Sequence, residues 1–370
     1  MNIGILVDSL AIGGAERQAI LCVSELRKLG HAADLVYYRP RMEFARMLEQ
    51  TGVQPIYVFA PSFYQRCRRL RALFRERKYQ VVHGFKMAAE VYAAVAGAWA
   101  RVPRRFGSCR TVYAPEFDLC VLHHFLDKLL DGWIVNSKLG ARSMAQYAHI
   151  SPRKLLVLPN ALCPEMFDRL PESPAAKSRL GVRPETIAIT LIARLDPVKN
   201  HRMLFEAAAR VLKQAAHARF LIVGNGALKA ALKAQVTQLG LADKVLFLGQ
   251  RADIPEILAA TDISVLTSDH EGLPNAVIEA MAAGKAIAST DYRGFEELMT
   301  HESNALISPR GDAEAFSANL LRLIADERLR ERLAANARQY ALAHFSPAAM
   351  ARTLERIYTS GGGNGTQNGS

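Results

Sequence analysis

The sequence predicts an α/β protein built from two doubly wound domains in series. Three observations predict it. Short apolar, β-branched runs alternate with helical runs through nearly all 370 residues, the pattern of parallel sheets covered by helices. The alternation weakens once, around Cys163–Gly181, where Pro164, Pro171 and Pro174 gather into a linker. Each half also contains a strand, a glycine-bearing loop and a helix in succession.

In the first half, Asn2–Val7 reads as a strand, followed by the Gly13-Gly14 loop and a helix over Gln18–Leu29 that stops at Gly30. Ala33–Tyr38, Gln54–Phe59 and Tyr79–His83 are the next strands, with a helix over Ala88–Trp99. Arg104–Cys109, Gly132–Asn136 and Leu155–Leu158 complete the strands of this half. In the second half, Thr186–Ile192, Arg219–Val223, Val245–Leu248, Ile263–Leu266 and Ala286–Ser289 read as strands. Helices over His201–Ala215, Ala227–Leu239 and Ile254–Ala260 alternate with them, and Glu314–Asp326, Leu329–Phe345 and Pro347–Tyr358 are helices that close the chain. The expected domains are therefore 1–165 and 166–346. Gly361–Ser370 is a Gly/Asn/Ser tail too poor in apolar residues to fold, and disorder is expected there.

One stretch organises the second half, Ser268 through Gly284. A buried strand precedes it and an Ala-rich helix, Ala276–Ala283, ends it. Pro274 suits the first helical turn, where its missing N–H costs nothing, and Gly284 suits the stop. The free N–H groups of such a helix start favour an anion, above all a phosphate. Glu271 and Glu279 bracket the turn. Carboxylates are poor phosphate ligands but good hydroxyl acceptors, so the pattern suggests sugar hydroxyls on either side of a diphosphate. The plainer alternative makes Glu271 a loop charge and Glu279 a solvent-facing one.

Composition bounds the class. Half the residues are hydrophobic and 22% are charged, as in an ordinary globular protein. Five scattered cysteines form no C-x-x-C pair, which argues against a disulfide framework or a zinc site and suits a reducing cytoplasm. The start lacks a basic segment and Asp8 ends its apolar run, so a first strand is expected there and not a signal peptide. The longest apolar stretch, Val91–Ala100, is half of what a membrane span needs. Net charge is +12, and residues 1–165 hold 23 Lys and Arg against 13 Asp and Glu. The excess is densest in Arg66–Lys78, where Leu70, Leu73 and Phe74 fall at helical spacing. A basic amphipathic helix of this kind suits an anionic membrane surface. A solvated arginine face is the alternative. No nucleic-acid motif accompanies the charge, and nucleic acid is not expected as a partner.

Four segments, in order, carry a resemblance: Gly13-Gly14-Ala15-Glu16-Arg17, Ala193-Arg194-Leu195-Asp196-Pro197-Val198-Lys199-Asn200, Gly224-Asn225-Gly226, and Glu271 through Glu279. Together they resemble the retaining glycosyltransferases of family 4, whose GT-B fold sets two Rossmann-like domains facing across a cleft. The resemblance covers all but the tail. It implies a nucleotide-sugar donor, UDP- or GDP-linked, on the second domain, an acceptor on the first, and a final helix over 347–358 that crosses back. Closure would hinge near Asn160–Pro174 and Phe345–Pro347.

The resemblance also implies residue roles. Arg194 and Lys199 would hold the donor diphosphate in place of a metal, because charge builds on the leaving group as the glycosidic bond breaks. Gly13 and Gly14 would admit the donor phosphates or the acceptor. Glu279 would accept from the ribose and Glu271 would contact the transferred sugar. Gly272, Leu273, Pro274 and Asn275 would offer groups to the sugar and β-phosphate. Arg251 lies in the segment that would border the base, and Gly224 with Gly226 either approaches the ligand or only makes a tight turn. The chain departs from the family where many relatives carry a histidine after the fifth strand. Here Gly107-Ser108-Cys109-Arg110-Thr111 stands there, with Arg110 in the place of the histidine. Arg110 cannot act as a base but could neutralise a phosphate. His83, after the fourth strand, is the other candidate for that place, unless it is a strand-end residue satisfied by backbone.

No Asp-x-Asp pair occurs, so metal-independent transfer with no cofactor is expected. The acceptor is expected to be a glycan or a lipid-linked molecule, in the cytoplasm or at the inner face of the membrane. An NAD-dependent oxidoreductase needs a full G-x-G-x-x-G, and Gly224-Asn225-Gly226-Ala227-Leu228-Lys229 lacks the third glycine. A nucleotide-sugar epimerase of the same fold and a non-catalytic, membrane-attached partner of another transferase remain open. A serine hydrolase would need a G-x-S-x-G, which is absent.

Overall fold

The computed structural model describes residues 1–11, 13–110, 117–163 and 166–360. The 361–370 tail, Pro164 in the linker and Thr111 lie outside them. The chain divides into two compact units, one of residues 1–161 with the final helix, the other Leu162–Ser346. Leu162 belongs to the second unit, where its N–H bonds the Phe345 carbonyl at 2.9 Å and its side chain joins the core.

The first unit runs β1 (Asn2–Val7), α1 (Gly14–Lys28), β2 (Ala32–Tyr37), α2 (Ala45–Thr51), β3 (Ile56–Tyr57), α3 (Phe63–Glu76), β4 (Val81–Gly84), α4 (Met87–Ala100), β5 (Arg104–Cys109), α5 (Phe117–Asp127), β6 (Gly132–Val135), α6 (Lys138–Tyr147) and β7 (Leu155–Val157). All its pairings are parallel, in the order β3-β2-β1-β4-β5-β6-β7. Strands buried on both faces explain the continuous apolar runs: every residue of β4 and β6 is buried.

The second unit runs α7 (Ser173–Arg179), β8 (Ile187–Ile192), α8 (His201–Gln214), β9 (Ala218–Val223), α9 (Lys229–Gln238), β10 (Val245–Gly249), α10 (Ile254–Ala259), β11 (Ile263–Leu266), α11 (Asn275–Ala282), β12 (Ala286–Thr290), β13 (Leu306–Ser308), α12 (Ala313–Ala325) and α13 (Glu327–His344). Its sheet is also parallel, in the order β10-β9-β8-β11-β12-β13. The chain ends in α14 (Pro347–Ser360), which packs on α1 in the first unit.

In both sheets the direction of winding reverses once, between β1 and β4 and between β8 and β11. Ligands of such folds bind in the crevice at that reversal, beyond the carboxyl ends of the strands.

Several elements depart from the sequence expectation. Pro174 belongs to no linker: it sits in the first turn of α7, where its fixed φ is pre-set for a helix. Strand β3 shrinks to two residues at the sheet edge. Short edge strand β13 and helices α2, α5 and α6 were not expected. In α6 the start is set by Ser137, whose Oγ accepts from the Gly140 N–H at 3.0 Å. Pro274 is the N-cap of α11 and not its first helical residue, since the Val277 and Ile278 N–H groups already bond its carbonyl. The arginine-rich segment is the helix α3. Cys67, Leu70 and Phe74 are its buried stripe, and Arg68, Arg69 and Arg75 are exposed. None of the five cysteines, all among the described residues, forms a disulfide. Among the described residues no helix is long and apolar enough to cross a membrane.

Candidate active site

The second reversal point carries the residues that the sequence singles out. The β8–α8 segment leaves the sheet through Ala193 and Leu195, whose N–H groups bond the carbonyls of Val223 and Asn225 at 3.0 Å each. A single turn over Pro197–Lys199 follows, and Asn200, at φ 45° and ψ 48°, caps α8 by accepting from the Met203 N–H. The turn is tied to the next loop. The Asp269 N–H donates to the Val198 carbonyl at 2.9 Å, and the Thr267 hydroxyl to the Lys199 carbonyl at 2.8 Å.

These ties bring Lys199 to Glu271. Lys199 Nζ lies 2.5 Å from Glu271 Oε1, and the Ser268 hydroxyl donates to the same oxygen at 2.6 Å. Both side chains are nearly covered, at 17% and 12% exposure, so water weakens the pair little. Glu271 is thus not a free loop charge. Ser268 orients it, a role the sequence did not single out although Ser268 opens the key stretch. Just beyond, α11 presents its N-terminus at Asn275, and Leu273 packs into the core of the unit. Glu279 is buried in α11 and does not face solvent.

Arg194 is placed differently. Its side chain is 78% exposed and turns to Asp196 at 2.8 Å. Gly224 and Gly226 fix the loop under it. A Cβ on Gly224, at φ +142°, would fall 1.9 Å from the Ala193 carbonyl oxygen, and one on Gly226 2.5 Å from that of Leu195. Close loop packing explains both glycines. Arg251 is clamped by both oxygens of Asp253, at 2.8 and 2.5 Å, and holds that carboxyl below its usual range. His201, the first residue of α8, is 1% exposed, and neither ring nitrogen has a hydrogen-bond partner among the described residues. Burial, reinforced by the Lys199 charge, lowers its pKa to about 4.

In the first unit, Arg110 follows β5. Its guanidinium lies 4.3 Å over the Phe85 ring and donates to Asn160 at 2.8 Å. His83 corrects an expectation. It is fully buried, and its Nδ1 lies 2.8 Å from the Tyr358 hydroxyl of α14. Burial and the nearby Arg110 charge hold its pKa well below the ordinary value. The ring is covered in this arrangement, and its partner is a tyrosine and not the backbone. Gly13 is the extended N-cap of α1, and Gly14 is the first residue of that helix. Glu16, two residues on, is buried and paired with Lys86.

Comparison with known proteins agrees with the fold. The Anabaena protein Alr3699/HepE, solved with UDP and glucose, superposes with a TM-score of 0.87 over 97% of this chain and 100% of its own, at 22% identity. The fold is GT-B. The family descriptions Glycosyltransferase Family 4 and Glycosyl transferases group 1 match residues 12–165 and 173–340 in turn. The chain belongs to the group 1, family 4 glycosyltransferases. The putative glycosyltransferase EpsD of Bacillus subtilis is 31% identical over 51% of each chain, so the match spans about half of that relative. The UDP-Gal:alpha-D-GlcNAc-diphosphoundecaprenol alpha-1,3-galactosyltransferase of Escherichia coli is 28% identical over 70% of each chain.

Proposed function

We propose that the protein moves a sugar from a UDP- or GDP-linked donor to an acceptor hydroxyl, with retention and without a metal, in the assembly of a bacterial polysaccharide or glycolipid. The observation that carries this reading is the nearly covered Lys199–Glu271 pair at the β8/β11 reversal, beside the N-terminus of α11. An incoming diphosphate competes for Lys199, with Arg194 free to swing from Asp196 and the α11 N–H groups adding a fixed partial charge. Glu271, released, accepts from the sugar hydroxyls, and Glu279 from the ribose. Gly272 through Asn275 line the sugar and β-phosphate, Arg251 borders the base, and Gly13 and Gly14 admit the phosphates or the acceptor. Negative charge gained by the leaving diphosphate is stabilised where Lys199 already stands.

The acceptor belongs with the basic first unit. The named activity of the Escherichia coli relative, on a diphosphoundecaprenol-linked sugar, supports a lipid-linked acceptor with phosphate near Arg110. A membrane contact fits α3. Beside its arginines stand Phe59, Phe63, Tyr64 and Trp99, exposed by 38–65%, with Arg71 lying 4.8 Å over the Trp99 ring. Aromatic rings and arginines together suit the boundary of an anionic bilayer.

A product assay tests the reaction. Incubation with candidate nucleotide-sugars and lipid-diphosphate acceptors in EDTA should yield a longer glycan of retained anomeric configuration. Interconverted donor with no transfer would instead identify an epimerase, and no turnover at all a non-catalytic partner.

A further inference from the structure

Lys199–Glu271 has a counterpart that the proposed reaction leaves without a role. At the reversal of the first sheet, Glu16 in the first turn of α1 pairs with Lys86, the residue that caps α4. The signs are exchanged between the units. In the second, the cation follows the first strand and the carboxylate the fourth. In the first, the carboxylate follows β1 and the cation β4.

Lys86 stands where a lysine is costly. Its φ of 68° and ψ of 158° lie in a region that only glycine enters freely. Two residues earlier the chain does use glycine, because a Cβ on Gly84 would fall 2.5 Å from the backbone of Ala89. Glycine at 86 would relieve the backbone, yet a long cationic side chain stands there, 46% exposed over a carboxylate that is 3% exposed. Glu16 is only half satisfied. Its Oε1 meets Lys86, and its Oε2 is buried with no hydrogen-bond partner among the described residues. Beside this pair, Phe85 carries Arg110 over its ring. The neighbouring ends of β4 and β5 therefore hold two cations, and among the described residues only Lys86 has a carboxylate partner.

We propose that Lys86, together with Arg110, binds a phosphate of the acceptor in the crevice between the ends of β1 and β4, and that Glu16 holds Lys86 over the crevice until that phosphate displaces it. The assignment rests on the glycosyltransferase reading, which puts the acceptor on this unit. The shared chemistry is phosphate, carried either on a lipid or on a soluble phosphorylated sugar.

The test is calorimetric titration of methyl diphosphate and geranyl diphosphate into full-length protein carrying Lys199→Met, which disables the donor site. Adding Lys86→Met should weaken binding by about tenfold or more, the size of a lost charge-assisted bond. Adding Glu16→Gln should tighten it several-fold, because the internal competitor loses its charge. A purely structural ion pair predicts no tightening. Lys86→Met combined with Glu16→Gln leaves no buried lone charge, so it should fold cooperatively and bind as weakly as Lys86→Met. Tighter binding of the geranyl form assigns a lipid-linked acceptor, and equal binding a soluble one. Unchanged affinity in the Lys86 variants, or weakening by Glu16→Gln, overturns the proposal. A methyl diphosphate affinity of the wild type that is insensitive to Lys199→Met would count against the donor reading instead, and the Lys86 comparison would still be decided by itself.

Discussion

Lys199 and Glu271 neutralise each other, so removing either exposes the other. Lys199→Ala leaves a carboxylate at 12% exposure without its cation and removes a charge that the leaving group needs. Transfer should fall by about a hundredfold or more, roughly 3 kcal/mol, with an unchanged circular dichroism spectrum. Glu279→Ala should do likewise through donor affinity, and full activity in either variant would remove the site assignment. His201 should make stability pH-dependent. Its folded pKa of about 4 lies below the ordinary 6.5, so the unfolded chain binds the proton first. Its contribution is complete above about pH 6.5 and is lost as pH falls toward 4. Denaturant unfolding at pH 7 and pH 5 should show a smaller loss for His201→Leu than for the wild type. Most of the candidate site residues could be singled out because they lie in short motifs. Their partners were not. Glu16 stands in a quoted motif, but Lys86 is 70 residues away, and no local pattern reveals that pair or the Tyr358 lid over His83.

Strands and long helices were legible where burial on both faces writes mainly apolar runs, as in β1 and β11, whose bounds agree with the structure to the residue. The bounds of β5 agree as well, although Arg104, Arg105 and Ser108 interrupt its apolar character. Elements held by a cap or an edge pairing, such as α6 and β13, leave no such run. Helix α3 combines a short buried stripe with exposed arginines and aromatic rings, and that combination makes a prediction at its own scale. Sedimentation with vesicles containing anionic lipid should carry the protein down. Replacing Tyr64 and Trp99 by serine should release it, and neutral vesicles should retain little. Binding to neither vesicle type would leave α3 an ordinary solvated face. The loop after β9 makes another. Gly224→Ala forces a Cβ into the Ala193 carbonyl at a φ suited to glycine. It should cost several kcal/mol in denaturant unfolding, and a neutral result would contradict the packing account of that glycine.

At the scale of the whole molecule, two parallel sheets each reverse once, and each reversal carries a cation–carboxylate pair. The two-unit organisation was legible from the alternation and its single break. The chain's return to the first unit through α14 was carried by the resemblance, because a final helix alone does not say which core it joins. Charge follows the same division: most of the excess of +12 lies in residues 1–165. That asymmetry suits an anionic acceptor on one unit and a donor held by local charges on the other. The most direct measurement of this account is a thermal-shift titration in EDTA with UDP, GDP, ADP, NAD and the common nucleotide-sugars. A ligand bound only by the folded protein raises the melting temperature. The account predicts a shift with UDP or GDP and its sugar conjugates that disappears in Lys199→Ala. A shift with NAD alone, or one that persists undiminished in Lys199→Ala, would contradict it.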